Sequence, residues 1–202
     1  EDENKNIKYF NSLSIFDHDL NIINSYRKIN LVPFGEFLPF EKLLKGIGLK
    51  TITNDYQSYS KGKERNIINL NYNNLSVKIL PLICYEIIYS GKIFTNSNFD
   101  YIVNISEDGW FGNSIGPDQH FAKSIFRATE NNTFFVRSAN KGVSAIIDNK
   151  GNIIKQLNRN EAGSIEFEVP LIKSNKIKND LIFFVLLITY LLIFLIYKRN
   201  DG

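Results

Sequence analysis

Polar and apolar residues alternate at the start of the chain. In IKYFNSLSIFD, Ile7 and Tyr9, then Leu13 and Ile15, are separated by smaller or polar residues, the period-two pattern of a half-buried strand. The turn-forming DHDLN and a second extended piece running to Lys28 complete a hairpin. In LVPFGEFLPF, Pro33, Gly35 and Pro39 exclude a regular helix or central strand and leave an apolar loop. FEKLLKGIGL predicts a short helix, and NDYQSYSKGKER a polar, exposed loop. LSVKILPLICYE and FDYIVNIS, rich in β-branched and aliphatic residues, predict strands whose polar residues end at one sheet edge. From Asp118 to Asn131 the period changes: Phe121, Ile125 and Ala128 recur on one helical face, and Pro117 suits the first turn. TFFVRSA, VSAIIDNKGNII and GSIEFEV predict further strands, with DNKG as a hairpin turn. Strands separated by a helix and closed by a hairpin predict an α/β layered domain.

A different pattern closes the chain. LIFFVLLITYLLIFLIY, Leu181 to Tyr197, has no charge, Gly or Pro and predicts a membrane-spanning helix, followed by a short polar tail over 198–202. Lys198 and Arg199 lie beyond the span and Lys173, Lys176 and Lys178 before it, so the charges leave its orientation open.

The 202 residues suffice for one sizeable domain plus this appendage. A net charge of +3, with Lys and Arg spread along the chain, gives no basic stripe for nucleic acid. No methionine occurs, so the chain is expected to be part of a longer product. No phosphate-cradling glycine loop and no metal-ligand spacing is present, and neither cofactor nor metal is expected.

The single cysteine, Cys84, cannot form an intrachain disulfide; it is a buried apolar side chain, an intermolecular bridge or a reactive thiol. Its place at the end of an apolar strand, where the chain must turn, is that of many nucleophiles. Such a thiol needs a base and donors for a developing oxyanion. The histidines are His18, in a polar turn, and His120, at a helix start, so a Cys84–His120 pair is one option. Carboxylates and lysine are the other: Glu36 lies among Phe34, Phe37 and Leu38, where an ionised side chain calls for a buried cationic partner.

KINLVPFGEFLPF, ICYE, SEDGWFGNSIGPDQHFAKSIFRATENN and VRSANKGVSAIID, in this order from about Tyr9 to about Val169, resemble the carbon-nitrogen hydrolase (nitrilase) superfamily. More narrowly, they resemble its membrane-bound branch, the apolipoprotein N-acyltransferases. The resemblance implies a nitrilase-like α-β-β-α sandwich over 1–172, truncated at its N-terminus, followed by the transmembrane helix at 181–197. It implies Cys84 as nucleophile, Lys28 as stabiliser of the tetrahedral intermediate, and Glu36 and Glu86 as further acids of the site. Tyr85, Trp110 and Glu130 match positions that shape the site, and Phe34 belongs to the same apolar loop, expected to contact substrate.

The general-base glutamate of the superfamily is expected several dozen residues before Lys28, upstream of residue 1, so this chain alone is expected to be inactive. The implied reaction is ping-pong acyl transfer. A phospholipid acylates Cys84, and the α-amine of a diacylglyceryl-modified apolipoprotein takes the acyl group. The implied setting is the bacterial inner membrane with the domain on the periplasmic side, in an oxidising compartment that suits a lone thiol. Where the family commonly has Asn, this chain has Glu107, which would raise the thiol pKa if it faced the site. An amidase or nitrile hydrolase with water as acceptor, and an inactive membrane-tethered binding domain, are the rival readings.

Overall fold

The expected opening hairpin is present as β1 (Ser12–Phe16) and β2 (Ile22–Arg27), paired antiparallel with Leu13 opposite Tyr26. The computed structural model describes residues 7–40, 46, 58–72, 75–91, 98–172 and 180–200. Six further strands form one mixed sheet in sequence order: β3 (Ile68–Tyr72), β4 (Leu75–Ile83), β5 (Tyr101–Glu107), β6 (Phe134–Asn140), β7 (Ser144–Ile147) and β8 (Ile153–Leu157). The pairs β4–β5 and β5–β6 are parallel, and the outer pairs antiparallel. The crossover from β5 to β6 is helix α1 (Gly116–Asn131), which starts with Pro117 in its first turn as its sequence requires.

Side-chain alternation along the central strands builds two cores. Leu80, Leu82, Ile102 and Phe135 face one way and pack with Ala128, Phe121 and Ile125 of α1. Ile79, Ile83, Val103 and Ile105 face the other way and pack with Leu13 and Tyr26 of the hairpin. The layers are therefore helix, large sheet and small sheet. Pro81 sits in β4 beyond Ile79, the last residue that β3 pairs.

Two expectations need correction. Ile68–Tyr72, INLNY, pairs as a strand beyond those expected from the sequence; its alternating Asn residues are a polar face on an edge strand. GSIEFEV forms no strand: residues 158–172 are irregular. That segment is fastened by side chains instead, with Phe167 stacked on Phe134 and Lys155 donating to the Glu166 carbonyl. The helix expected in FEKLLKGIGL lies outside the described residues, apart from Phe40 and Gly46.

The apolar C-terminal segment is helix α2 (Asp180–Asn200). Its stretch Ile182–Arg199 has a mean hydropathy of 2.1 and buries nothing against the rest of the chain, so it is long and apolar enough to cross a membrane.

Candidate active site

Parallel pairing places the C-terminal ends of β4 and β5 side by side, the usual location of sites on such sheets. Cys84 follows β4 directly and opens a 3-10 turn, Cys84–Ile88, with φ = 49°. This is the left-handed region, which non-glycine residues avoid, and it turns the half-buried Cys84 out of the strand direction. The end of β5 continues into a second 3-10 turn, Asp108–Phe111.

Between these ends and the Pro-Gly loop lies a cavity of about 400 Å³, within the range of small-molecule sites. Cys84 and Tyr85 form one wall and Trp110 and Phe111 another, while Val32, Pro33 and Glu36 supply the loop side. Apolar surface dominates, and Trp110 is 60% exposed at this site.

The loop is held by its own acid. Glu36 Oε1 accepts from Lys28 Nζ at 2.9 Å and from Asn11 Nδ2 at 2.7 Å, while Oε2 accepts from the Val32 amide at 2.9 Å. Lys28 is thereby buried and paired, as the aromatic surroundings of Glu36 demanded. Glu36, Cys84, Tyr85 and Trp110 thus line one cavity, and Lys28 is buried behind Glu36, outside the lining.

Glu86 is near the nucleophile in sequence but sealed from the cavity, with no exposed surface. Its Oε1 accepts from Tyr26 Oη, the Ile29 and Asn30 amides and Arg65 Nη2, at 2.7 to 3.2 Å. Its Oε2 accepts from the Ile83 amide at 2.9 Å, the backward half of a capping box. Glu86 therefore clamps the segment after Lys28 to the turn that begins at Cys84. Burial, together with the Glu86 charge, pushes the Tyr26 phenol well up, so it stays a donor.

Glu130 does not line the cavity. It pairs with Arg127 at 2.9 Å and accepts from the Gly91 amide at 2.6 Å, fixing the chain beyond the Cys84 turn. Phe34 is half exposed, with φ = 62°, and lies outside the cavity lining as well. Glu107 does line it, but both carboxylate oxygens are engaged, by the Gly109 amide at 2.7 Å and by Asn140.

The option of a Cys84–His120 thiol–imidazole pair is not what the fold builds. His120 Nε2 lies 3.2 Å from the Cys84 carbonyl oxygen, and Nδ1 lies 2.9 Å from Asp108 Oδ1. Asp108 in turn accepts from Arg137 Nη2 at 2.6 Å and Ser106 Oγ at 2.7 Å. Burial alone would raise the Asp108 carboxyl; the His120 hydrogen bond and the Arg137 charge overcome this and hold it at about 2. Arg137 also donates to Asn104, whose amide donates to the Leu82 carbonyl. A Cβ on Gly142 would sit 2.1 Å from Asp108 Oδ2, so that chain passes close only because it has no side chain. His120, Ser124, Arg127 and Asn131 are all buried along α1. Of this polar stripe only His120 belongs to the Asp108–Arg137 cluster, and its helical spacing beside the apolar face is the sequence signal from which it could have been found. Among the described residues no group of His, Cys, Asp and Glu could hold a metal ion.

Comparison with known proteins identifies the family of this fold. The carbon-nitrogen hydrolase family pattern matches residues 1–178. A Rhodopseudomonas palustris protein named apolipoprotein N-acyltransferase is 40% identical over 162 residues, covering 80% of this chain and 30% of that protein. A Rickettsia typhi protein of the same name is 39% identical over 162 residues, covering 80% of this chain and 32% of its own length. The chain therefore spans about 30% of the length of these curated relatives. Among solved structures, a CN-hydrolase superfamily protein from Xanthomonas campestris shares the fold at a TM-score of 0.50 and 18% identity, covering 82% of this chain and 57% of that one. With its nitrilase-like α/β fold and a family match across most of its length, the chain belongs to the carbon-nitrogen hydrolase family.

Proposed function

We propose that this chain carries the catalytic domain of an apolipoprotein N-acyltransferase, with Cys84 as the residue that holds the acyl group in transit. The observation that carries this reading is the placing of Cys84, at a strained strand end, on an apolar cavity that Glu36, the partner of the buried Lys28, also lines. The names of the relatives, and an apolar helix at the C-terminus, favour acyl transfer at a membrane over hydrolysis of a soluble amide.

In the proposed reaction the Cys84 thiol gives its proton to the upstream glutamate that the resemblance calls for, and the thiolate attacks the ester carbonyl of a phospholipid. The lysophospholipid leaves as an alcohol, taking that proton, and a thioester remains. Lys28 is assigned to the oxyanion of each tetrahedral intermediate, with Glu36 orienting its ammonium. The α-amine of a diacylglyceryl-modified N-terminal cysteine then attacks the thioester, an amide forms, and the thiol is restored. Trp110 and Tyr85 are assigned to the acyl chain. Glu86 and Glu130 act through the backbone they fasten, and Phe34 acts at the exposed rim of the loop.

In the same reading residues 1–172 form the domain and 181–197 anchor it in the bacterial inner membrane. The domain lies on the periplasmic side, and the partners are phospholipid and apolipoprotein, with no nucleic acid. The test is to incubate the full-length protein with phospholipid vesicles and measure the mass of the Cys84 peptide. An acyl adduct that is discharged by a diacylglyceryl peptide with a free α-amine is expected. An adduct discharged equally fast by water would favour the hydrolase. Absence of any adduct, or acylation by a Cys84→Ser variant at the parent rate, would overturn the proposal.

A further inference from the structure

The proposed chemistry uses the sulfur of Cys84; the backbone of that residue is held by a buried histidine. Cys84 keeps a left-handed conformation, φ = 49°, that a residue with a Cβ leaves unless its surroundings fix it. The contact that fixes its carbonyl is His120 Nε2 at 3.2 Å. A carbonyl oxygen only accepts, so Nε2 carries a proton. Hydrogen bonding at this oxygen sets the plane of the Cys84–Tyr85 peptide, and hence the direction of both the thiol and the Tyr85 amide.

The same imidazole also touches the opposite wall of the cavity. Its Nδ1 faces Asp108 Oδ1 at 2.9 Å and Arg137 Nη2 at 3.2 Å. Asp108 is the first residue of the turn that carries Trp110 and Phe111. The Phe111 ring lies 5.4 Å from the imidazole, tilted by 54°. One side chain, 4% exposed, therefore spans from the nucleophile's backbone to the aromatic turn that walls the cavity.

We infer that His120 is a positioning residue for acyl transfer: it fixes the Cys84–Tyr85 peptide and ties its orientation to the aromatic turn Trp110–Phe111. It takes no proton from the thiol. This inference rests on the reading of Cys84 as the acyl carrier.

Two isosteric substitutions separate its contacts. His120→Gln puts an amide NH2 near the position of Nε2 and keeps a donor for the Cys84 carbonyl. His120→Asn puts it near Nδ1, where it serves Asp108 but falls short of Cys84. In the full-length protein in phospholipid vesicles, His120→Gln should form the Cys84 adduct within about 5-fold of the parent rate. His120→Asn should be slower by about 100-fold, the scale of a small misplacement of a reacting group, with the KM for phospholipid changed by no more than about twofold. Alkylation of Cys84 by iodoacetamide should separate the two variants in the same order. Equal loss in both, or a His120→Asn rate matching His120→Gln, would overturn the inference. Should His120→Asn not fold, His120→Gln alone decides: a near-parent rate upholds the inference and a loss of about 100-fold overturns it. Failure of the parent protein to form any adduct would refute the acyl-carrier reading instead, and the alkylation rates would still test His120.

Discussion

Lys28 Nζ and Glu36 Oε1 lie 2.9 Å apart, the lysine side chain wholly shielded from solvent. Removing one member of such a pair leaves a buried charge, which costs about 3–5 kcal/mol. Lys28→Met should therefore lower the thermal midpoint sharply, and Lys28→Met combined with Glu36→Gln should recover much of that loss. Neither variant should form the Cys84 adduct. A double variant that regained adduct formation would remove Lys28 from the chemistry.

Glu86 offers the reverse separation, because it touches no cavity surface yet gathers donors from β2, the segment after it, Arg65 and the Cys84 turn. Glu86→Gln replaces an oxygen with an NH2 that faces donors and leaves Arg65 uncompensated. A loss of about 3 kcal/mol is expected from chemical denaturation. Adduct formation should fall with it; unchanged stability would mean that the clamp is not what holds the turn.

The positive φ of Cys84 predicts an unusual order of stabilities. Glycine adopts that conformation without strain, so Cys84→Gly should be more stable than Cys84→Ala by about 1 kcal/mol, although both lack the thiol. Paired melting curves test this. Equal or reversed midpoints would show that the turn relaxes to a negative φ.

Asp108 gives a defined acid dependence. Its carboxyl is held at about 2, below the ordinary value of 3.8. Its charge therefore contributes stability that is fully present above pH 4 or so and is lost as the pH falls through about 2, a difference of about 2 kcal/mol. Denaturation measured across that window should be less steep in pH for Asp108→Asn, which should already be destabilised at neutral pH. An identical pH slope in parent and variant would contradict the assignment.

Features that depend on local period and local composition are legible along the chain. The hairpin and α1 were legible because their apolar positions repeat every two or every three to four residues, and β4, β5 and the C-terminal span because their composition is strongly apolar. Cys84 stood out as the only thiol, at a strand end. Glu36 announced a cationic partner because a charge among Phe34, Phe37 and Leu38 is costly alone, and Lys28, eight residues away, is that partner.

Tertiary structure alone decided the roles of residues whose partners are remote. Glu86 reads as a second acid beside the thiol, yet its donors come from as far as 60 residues away, so only packing could show it as a clamp. His120 and Cys84 are 36 residues apart, and no spacing rule distinguishes a bond to a thiol from a bond to its carbonyl. The failed strand at GSIEFEV has the same origin: strand propensity is local, but a ladder needs a free neighbouring edge in register, and the chain there is held by Phe134 and Lys155 instead.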